Sequence, residues 1–222
     1  MNYRSTDKGE DKPWAERVKA VVFDLDGTLV DTVPLHIQSW IETCRRLGFP
    51  APTVDYVSTL MGLRALDIAA RLCGSENAER ALNMKNEIYL SLLDNVKSID
   101  NAPYVMRILK ERGLLIGIVT SSSRHVAVKV LEITGLLKYV DALVAGDDVN
   151  VGKPNPEPLI KLLRILKLGI NDVVVVGDSK YDAEMAINAG VRIVFILSDS
   201  QDPWVIPIRS LTDLLKLMHF GF

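Results

Sequence analysis

The sequence predicts an α/β fold: a doubly wound parallel sheet interrupted by an inserted all-helical domain. Short apolar runs rich in β-branched residues recur along the chain, and segments with helical spacing separate the later runs. Between the first and second runs lies a long interval that contains only helical patterns, which predicts the insertion. With 222 residues, 48% of them hydrophobic, the chain can bury a substantial core and form a smaller second domain.

Five runs are typical of strands covered on both faces, because each is almost continuously apolar and is followed by turn residues. In order they are 18–23 (VKAVVF), 114–120 (LLIGIVT), 142–146 (ALVAG), 172–178 (DVVVVGD) and 191–197 (VRIVFIL). A helical pattern follows the second, third and fourth runs, and each closes on a glycine, which is typical of a helix C-terminus. These glycines are Gly135, Gly169 and Gly190.

Further helical patterns fill the interval from residue 33 to residue 100, which we interpret as the inserted helical domain. The segments 18–32 and 101–222 would form the sheet domain. Residues 1–17 are polar and of mixed charge, and we interpret them as a tail rather than as a signal peptide. The insertion would leave and re-enter the sheet domain beside the end of the first strand.

Composition argues against several classes of function. A formal net charge of -2 and a pI near 6.0 give no basic field to attract a nucleic acid or an anionic membrane. No apolar run is long enough to span a membrane. The two cysteines, Cys44 and Cys73, have no metal-binding or redox spacing, so we expect no disulfide framework and a cytoplasmic location.

The first strand ends in a cluster of carboxylates, DLDGT at residues 24–28. Because residues two apart in a strand face the same side, Asp24 and Asp26 can project together. Two adjacent carboxylates repel each other and lose hydration, so they require a cation or a proton between them. Ligands of open α/β sheets bind beyond the carboxyl ends of strands, and Gly27 permits a tight turn there. The alternative is that the aspartates only cap a turn.

Three later segments place polar groups beyond strand ends. Thr120 and Ser121 follow the second strand at a helix start, where hydroxyls and free N–H groups bind anions, although such residues also cap helices. Lys153, in the proline-rich GKPNPEP, can balance a phosphate charge or can be a solvated surface lysine. Asp178 and Asp182 end the fourth strand and lie one helical turn further on. Oxygen ligands without nearby histidine or cysteine suit Mg²⁺.

The segments DLDGT, the threonine after the second strand, KP and GDSKYD resemble, in order and spacing, the four motifs of the haloacid dehalogenase superfamily. This resemblance covers nearly the whole chain after the tail. The insertion is similar to the helical C1-type cap of the family. DTVPLHIQSW, from Asp31, resembles the cap entry of the β-phosphoglucomutase-like and phosphoglycolate-phosphatase-like branch. The resemblance implies a Rossmann-like core and a phosphatase that uses Mg²⁺ as cofactor.

The resemblance also implies roles for the motif residues. Asp24 would be the nucleophile that forms an aspartyl-phosphate, and Asp26 the general acid and base. Thr120 would hold a phosphoryl oxygen, and Lys153 would balance charge. The Mg²⁺ ligands would be Asp24, the backbone carbonyl of Asp26, Asp178, and Asp182 directly or through water.

Substrate-binding residues would come from both domains: Gly27, Thr120, Ser121 and Lys153 from the core, and His36 and Arg64 from the cap. His36 would touch the substrate or assist Asp26, but a histidine on an apolar helix is about as often a packing residue. Arg64, in the cap-loop-like LMGLRALD, would be a second anion contact, although such an arginine is more often only solvated. Phosphonoacetaldehyde hydrolases carry a Schiff-base lysine just after a similar MGL. Arg64 and Ala65 stand there in this chain, which disfavours that chemistry.

The sequence leaves several alternatives open. A sugar-phosphate mutase of the β-phosphoglucomutase type would use the same residues but shield its aspartyl-phosphate from water. A phosphorylation-dependent switch of the receiver type would be shorter and lack a cap, and a non-catalytic phosphate-binding protein would not need every motif residue intact. Asp26 disfavours carbon–halogen chemistry, since the dehalogenases lack an acid there. We expect a small phosphate ester as partner, such as phosphoglycolate, a sugar phosphate, a nucleotide or pyrophosphate, and a monomer or homodimer.

Overall fold

The computed structural model describes residues 15–99 and 101–219. Residues 1–14, most of the predicted polar tail, lie outside this part of the chain, and Ala15–Arg17 form a short 3-10 turn. Within the described residues, no helix combines the length and the apolar character needed to cross a bilayer.

Among the described residues, six parallel strands form one sheet with the order β3-β2-β1-β4-β5-β6. The strands are β1 Ala20–Phe23, β2 Leu115–Val119, β3 Ala142–Val144, β4 Val173–Gly177, β5 Val194–Ile196 and β6 Ile206–Pro207. Phe23 lies beside Ile118 of β2 and Val176 of β4. The carboxyl ends of these three strands are therefore adjacent, and the residues that follow them can meet at one edge of the sheet.

Helices cover both faces of the sheet. They are α5 Ala102–Glu111, α6 Arg124–Ile133, α7 Glu157–Leu166, α8 Lys180–Asn188 and α9 Leu211–Leu217. Val21 and Phe23 of β1 pack with α5, α6 and α9, whereas Ala20 and Val22 pack with α7 and α8. All residues of β1 and β4 are buried, which explains why these strands are unbroken apolar runs. The predicted doubly wound α/β fold with helical segments is confirmed.

Helices occupy the predicted insertion as well: α1 Val33–Leu47, α2 Val54–Leu60, α3 Ala65–Cys73 and α4 Ala78–Leu90. Trp40, Leu60 and Ile68 belong to an apolar cluster formed by these helices. Tyr89, near the end of α4, packs instead with the cluster of the sheet domain. The division into a core (18–32 and 101–222) and a cap (33–100) remains our proposal, and the separate apolar cluster supports it.

Two local features differ from the sequence expectations. Helix α7 ends at Leu166, and Lys167 rather than Gly169 adopts the left-handed backbone conformation, with φ 57°. The N–H of Lys167 donates to the carbonyls of Leu163 and Arg164, so the helix closes before the glycine is reached. Strand β6 was not predicted, because a strand of two residues is too short to leave a periodic pattern in the sequence.

Candidate active site

The predicted motif residues converge at the carboxyl end of the sheet. Asp24 follows β1, Thr120 follows β2 and Asp178 follows β4. Because β1 lies between β2 and β4, these side chains come from three adjacent strand ends. Lys153, from the loop after β3, reaches the same place.

A buried ion-pair network surrounds Lys153. Its Nζ donates to Oδ1 of Asp24 at 2.5 Å and to Oδ1 of Asp182 at 2.6 Å. Burial opposes a charge on Lys153, but the carboxylates of Asp182 and Asp24 outweigh burial and hold the pKa of the lysine above its usual value. Asp182 also accepts hydrogen bonds from the backbone N–H and the hydroxyl of Ser179, the N-cap of α8. Lys153 is therefore fixed as a cation between two carboxylates.

Three carboxylates stand close enough to share a cation. One oxygen each of Asp24, Asp178 and Asp182 lies within 4.8 Å of the others. Burial, with the charge of Asp182, raises the pKa of Asp178 to about 7, and burial also raises the pKa of Asp24 in spite of Lys153. These raised values indicate negative charge that lacks full compensation. The all-oxygen donor set fits Mg²⁺.

Gly27 makes room for the carboxylate cluster. Its φ is +92°, and a Cβ built on it would lie 2.3 Å from Oδ2 of Asp178. The hydroxyl of the next residue, Thr28, donates to Oδ1 of Asp178 at 2.9 Å. The turn after β1 therefore orients Asp178, and any side chain at position 27 would displace it. The predicted contact of Gly27 with substrate stays a prediction.

A different set of partners holds the side chain of Asp26. Oδ1 accepts from Thr32 at 2.7 Å and lies 2.9 Å from Nε2 of His36, while Oδ2 accepts from Ser122 at 2.9 Å and from Thr120 at 3.3 Å. Burial alone would raise the pKa of Asp26, but His36 and the hydroxyl donors outweigh burial and lower it. Asp26 is thus held as an ionised acceptor, the state that a general base requires.

The structure adds one functional candidate, Lys85, that was not predicted from the sequence. Its Nζ lies 2.8 Å from Nδ1 of His36, whose Nε2 faces Asp26. Because an ammonium group can only donate, His36 accepts at Nδ1 and donates from Nε2. Burial lowers the pKa of Lys85 to about 7, and burial and Lys85 together lower that of His36. A chain of hydrogen bonds therefore runs from α4 through His36 to Asp26.

The position of Lys85 on its helix is the signal that could have revealed it. Ala81, Lys85 and Ile88 are buried and follow helical spacing along one side of α4. The lysine thus occupies a place where this pattern calls for an apolar residue, and fully buried lysines are rare unless they are paired. Its ammonium group lies 4.5 Å from the ring centroid of Tyr89, and that ring stacks on His36 at 4.1 Å.

The predicted contact of Arg64 with an anion stays a prediction, and in this structure the side chain of Arg64 has other partners. Its guanidinium group donates to the backbone carbonyls of Val149 and Asn150 and to the carboxylate of Asp67. Arg64 therefore joins the insertion to the loop after β3. Ser121 does reach the cavity described next, but its hydroxyl donates to the carbonyl of Gly62 at 2.6 Å.

A cavity of about 270 Å³ lies between the core and the helices of the insertion. The core contributes polar groups to its wall, namely Asp24, Asp26, Thr120, Ser121, Ser122, Asp178 and Ser179. The side formed by the insertion is mostly apolar, with Val33, Trp40, Met61, Leu63, Ala65 and Ile68, and its polar side chains are Ser58, His36 and Lys85. Lys153 lies behind Asp24 and is bonded to it, so its predicted contact with substrate stays a prediction.

Comparisons with known proteins agree with this geometry. Residues 21–196 match the family model described as haloacid dehalogenase-like hydrolase. The chain belongs to this family. A curated member, a pyrophosphatase from Halalkalibacterium halodurans, is 31% identical over 181 residues, which cover 81% of this chain and 83% of that protein. A phosphoglycolate phosphatase from Cupriavidus necator is 32% identical over 184 residues, 80% of each chain.

Solved structures share the fold of this haloacid dehalogenase-like hydrolase. A β-phosphoglucomutase from Clostridium difficile has a TM-score of 0.81 at 19% identity, with 91% of this chain and 96% of that one covered. CbbY from Rhodobacter sphaeroides, in complex with phosphate, has a TM-score of 0.75 at 23% identity, with 89% and 96% covered. Family membership and the curated relatives identify the chain as a phosphohydrolase, which disfavours the switch and the non-catalytic binding protein.

Proposed function

We propose that this phosphohydrolase is an Mg²⁺-dependent phosphatase that hydrolyses a small phosphomonoester through an aspartyl-phosphate on Asp24. One observation carries the proposal. Asp24 belongs at once to the three-carboxylate cluster and to the ion pair with Lys153, and it lines the cavity together with Asp26. A nucleophile, a cation site and an acid or base group therefore face one small space.

Asp24, Asp178 and Asp182 would hold the metal ion, with the carbonyl of Asp26 as a further ligand. When bound, Mg²⁺ offsets the charge of the phosphoryl group and stabilises the transition state. Lys153 keeps Asp24 and Asp182 in position and adds a second positive charge. A dianionic phosphate would otherwise be repelled by these carboxylates.

In the first step, a carboxylate oxygen of Asp24 attacks phosphorus and the bond from phosphorus to the ester oxygen breaks. Asp26 gives its proton to that oxygen, and the alcohol leaves. In the second step, Asp26 takes a proton from a water molecule, whose oxygen attacks phosphorus and displaces the Asp24 carboxylate. Inorganic phosphate is released, and Asp26 has regained its proton.

The two roles of Asp26 need opposite protonation states. Its hydrogen bonds to Thr32, His36 and Ser122 favour the ionised form, which suits the base role. The acid role requires a proton, and the negative charge of a phosphate ester at Asp24 raises the pKa of Asp26 when the substrate binds. His36 and Lys85 orient the carboxylate in both steps.

The cavity supports a compact substrate. Its volume of about 270 Å³ is slightly below the roughly 300–1,000 Å³ typical of pockets for drug-sized ligands. This size favours short phosphate esters over nucleotides. The apolar wall formed by Trp40, Met61 and Leu63 offers few partners for sugar hydroxyls. It therefore favours a phosphatase over a mutase, which must hold a phosphorylated sugar in two orientations.

The proposal can be tested with the purified full chain, with and without Mg²⁺. The substrates would be p-nitrophenyl phosphate, phosphoglycolate, a hexose phosphate, a nucleoside monophosphate and pyrophosphate, assayed for both phosphate release and isomerisation. We expect Mg²⁺-dependent phosphate release from the short esters. Asp24→Asn should reduce kcat by at least about 10³-fold, because the nucleophile is lost, and the wild type alone should retain radiolabelled phosphate after an acid quench.

Asp31→Asn is the matched control, since Asp31 is an exposed aspartate only a few residues away. It should leave kcat unchanged. Undiminished turnover in Asp24→Asn would overturn the aspartyl-phosphate mechanism. Full activity in the presence of a chelator would overturn the dependence on Mg²⁺.

A further inference from the structure

Arg64 joins the insertion to the loop that carries Lys153. The guanidinium Nη1 donates to the backbone carbonyl of Asn150 at 2.6 Å and to that of Val149 at 3.2 Å. Its other edge is held by Asp67, with Nε and Nη2 at 3.1 and 2.7 Å from the two carboxylate oxygens. The carboxylate thus fixes the plane of the guanidinium group and directs its remaining donors at the two carbonyls.

The stem of Arg64 also packs directly against the residue that precedes Lys153. A Cβ built on Gly152 would lie 2.6 Å from Cβ of Arg64, a contact that only glycine allows. Lys153, next in the chain, is 3% exposed and bridges Asp24 and Asp182. Gly152 therefore contacts the insertion, and the next residue, Lys153, contacts the carboxylate of Asp24.

The other side of this loop is held by the core. The carboxylate of Glu157 accepts the N–H groups of Asn150 at 2.9 Å and Val151 at 3.0 Å. The amide groups of the segment are therefore satisfied within the core, whereas the carbonyls of Val149 and Asn150 receive donors from Arg64. If the cap moves away, these carbonyls return to water and the loop loses the hydrogen bonds from Arg64.

We propose that Arg64 is a positioning residue that couples closure of the cap to the placement of Lys153 between Asp24 and Asp182. Contacts that do not involve the arginine side chain also join the two parts, among them Ser121 to Gly62 at 2.6 Å and Tyr181 to the carbonyl of Thr59 at 3.0 Å. Loss of Arg64 therefore leaves closure possible and releases mainly the loop 149–153. The kinetic part of this inference rests on the proposed function.

An arginine is required because one side chain must satisfy Asp67 and two carbonyls at once. The planar guanidinium group has five N–H donors in a fixed arrangement, whereas a lysine has a single ammonium group. Arg64→Lys should therefore resemble Arg64→Ala rather than the wild type. This equivalence separates a geometric role from a purely electrostatic one.

The first test measures amide hydrogen exchange in the full chain. Arg64→Ala and Arg64→Lys should accelerate exchange at Asn150, Val151 and Lys153 roughly tenfold, as expected for the loss of a hydrogen bond to a charged group. Exchange in β1 should not change. Arg164→Ala, at an exposed arginine of α7, is the control and should leave the loop unaffected. Unchanged exchange at 150–153 in both Arg64 variants would overturn the inference.

The second test measures kcat and KM for p-nitrophenyl phosphate with Mg²⁺. Both Arg64 variants should lower kcat roughly tenfold with little change in KM, because a displaced Lys153 weakens transition-state stabilisation more than ground-state binding. Faster exchange with unchanged kcat would also overturn the inference, since the loop would then not position Lys153. A wild type that releases no phosphate would refute the proposed function instead, and the exchange result would then decide the inference.

Discussion

The carboxylate of Asp26 is where the helical insertion and the sheet domain meet. His36 of α1 and Thr32, the residue directly before α1, donate to its Oδ1, and Thr120 and Ser122, after β2, donate to its Oδ2. A displacement of α1 would remove donors from one oxygen only. In the proposed mechanism, the proton affinity of Asp26 would therefore depend on the position of the cap, and closure would be linked to acid and base chemistry.

Lys85 contacts His36, the partner of Asp26. Its burial lowers the free energy of unfolding by an amount that depends on pH. Its pKa is about 7 in the folded chain, lowered by burial from 10.5, so the unfolded chain holds a proton in this range that the folded chain has lost. Stability contributed by this group therefore rises with pH between about 7 and 10. Lys85→Met should remove this rise.

We expect the unfolding free energy of the wild type to gain about 2 kcal/mol relative to Lys85→Met between pH 7 and pH 9. Urea unfolding at the two pH values measures it. Lys129→Met, at an exposed lysine of α6, is the control and should retain the slope of the wild type. Equal slopes in Lys85→Met and the wild type would contradict the burial of Lys85.

At the scale of elements, the strands were predictable because a strand that is buried on both faces consists almost entirely of apolar residues. Val173–Gly177 is an unbroken apolar run for this reason, and the carboxylates after it mark the end of the strand. Contacts between distant segments were not predictable. Nothing near Arg64 in the sequence indicates the carbonyls of Val149 and Asn150, and nothing near Lys85 indicates His36. Their roles depend on how the insertion lies on the core.

Close packing of α7 on β2 gives a prediction for stability alone. A Cβ built on Gly117 would lie 2.5 Å from Cδ2 of Leu162, which is fully buried, so the side chain of Leu162 would have to shift within the packed core. Gly117→Ala should therefore destabilise the fold by about 1–3 kcal/mol. The activity of the folded fraction should stay close to that of the wild type.

Gly169→Ala is the matched control for this substitution. Its Cβ would meet its nearest neighbour at 3.4 Å, an ordinary contact, and its φ is -95°. Urea midpoints measure both variants. A loss of stability as large in Gly169→Ala as in Gly117→Ala would show that packing against Leu162 is not the cause.

At the scale of the whole molecule, the carboxylates of the candidate active site lower the stability of the folded chain. Asp24, Asp178 and Asp182 bring three carboxylates to one buried place, and Lys153 is bonded to two of them. The pKa of Asp178 rises to about 7 by burial and by the charge of Asp182. An acid with a raised pKa in the folded chain costs stability above its unfolded value of 3.8, so the cluster weakens the fold at neutral pH.

Because these carboxylates repel one another, we expect Mg²⁺ to stabilise the wild type. Asp178→Asn should be more stable than the wild type without Mg²⁺, and its advantage should shrink or disappear with Mg²⁺. Without Mg²⁺, the variant should melt a few degrees above the wild type, since removing about 1 kcal/mol of repulsion raises Tm by ~2–4 °C in a chain of this size. With saturating Mg²⁺, the wild type should gain Tm and the variant should gain little, because a ligand of the ion is missing. Thermal melts with added Mg²⁺ or chelator measure both effects, and Asp31→Asn should follow the wild type. Equal Mg²⁺ shifts in Asp178→Asn and the wild type would place the ion elsewhere.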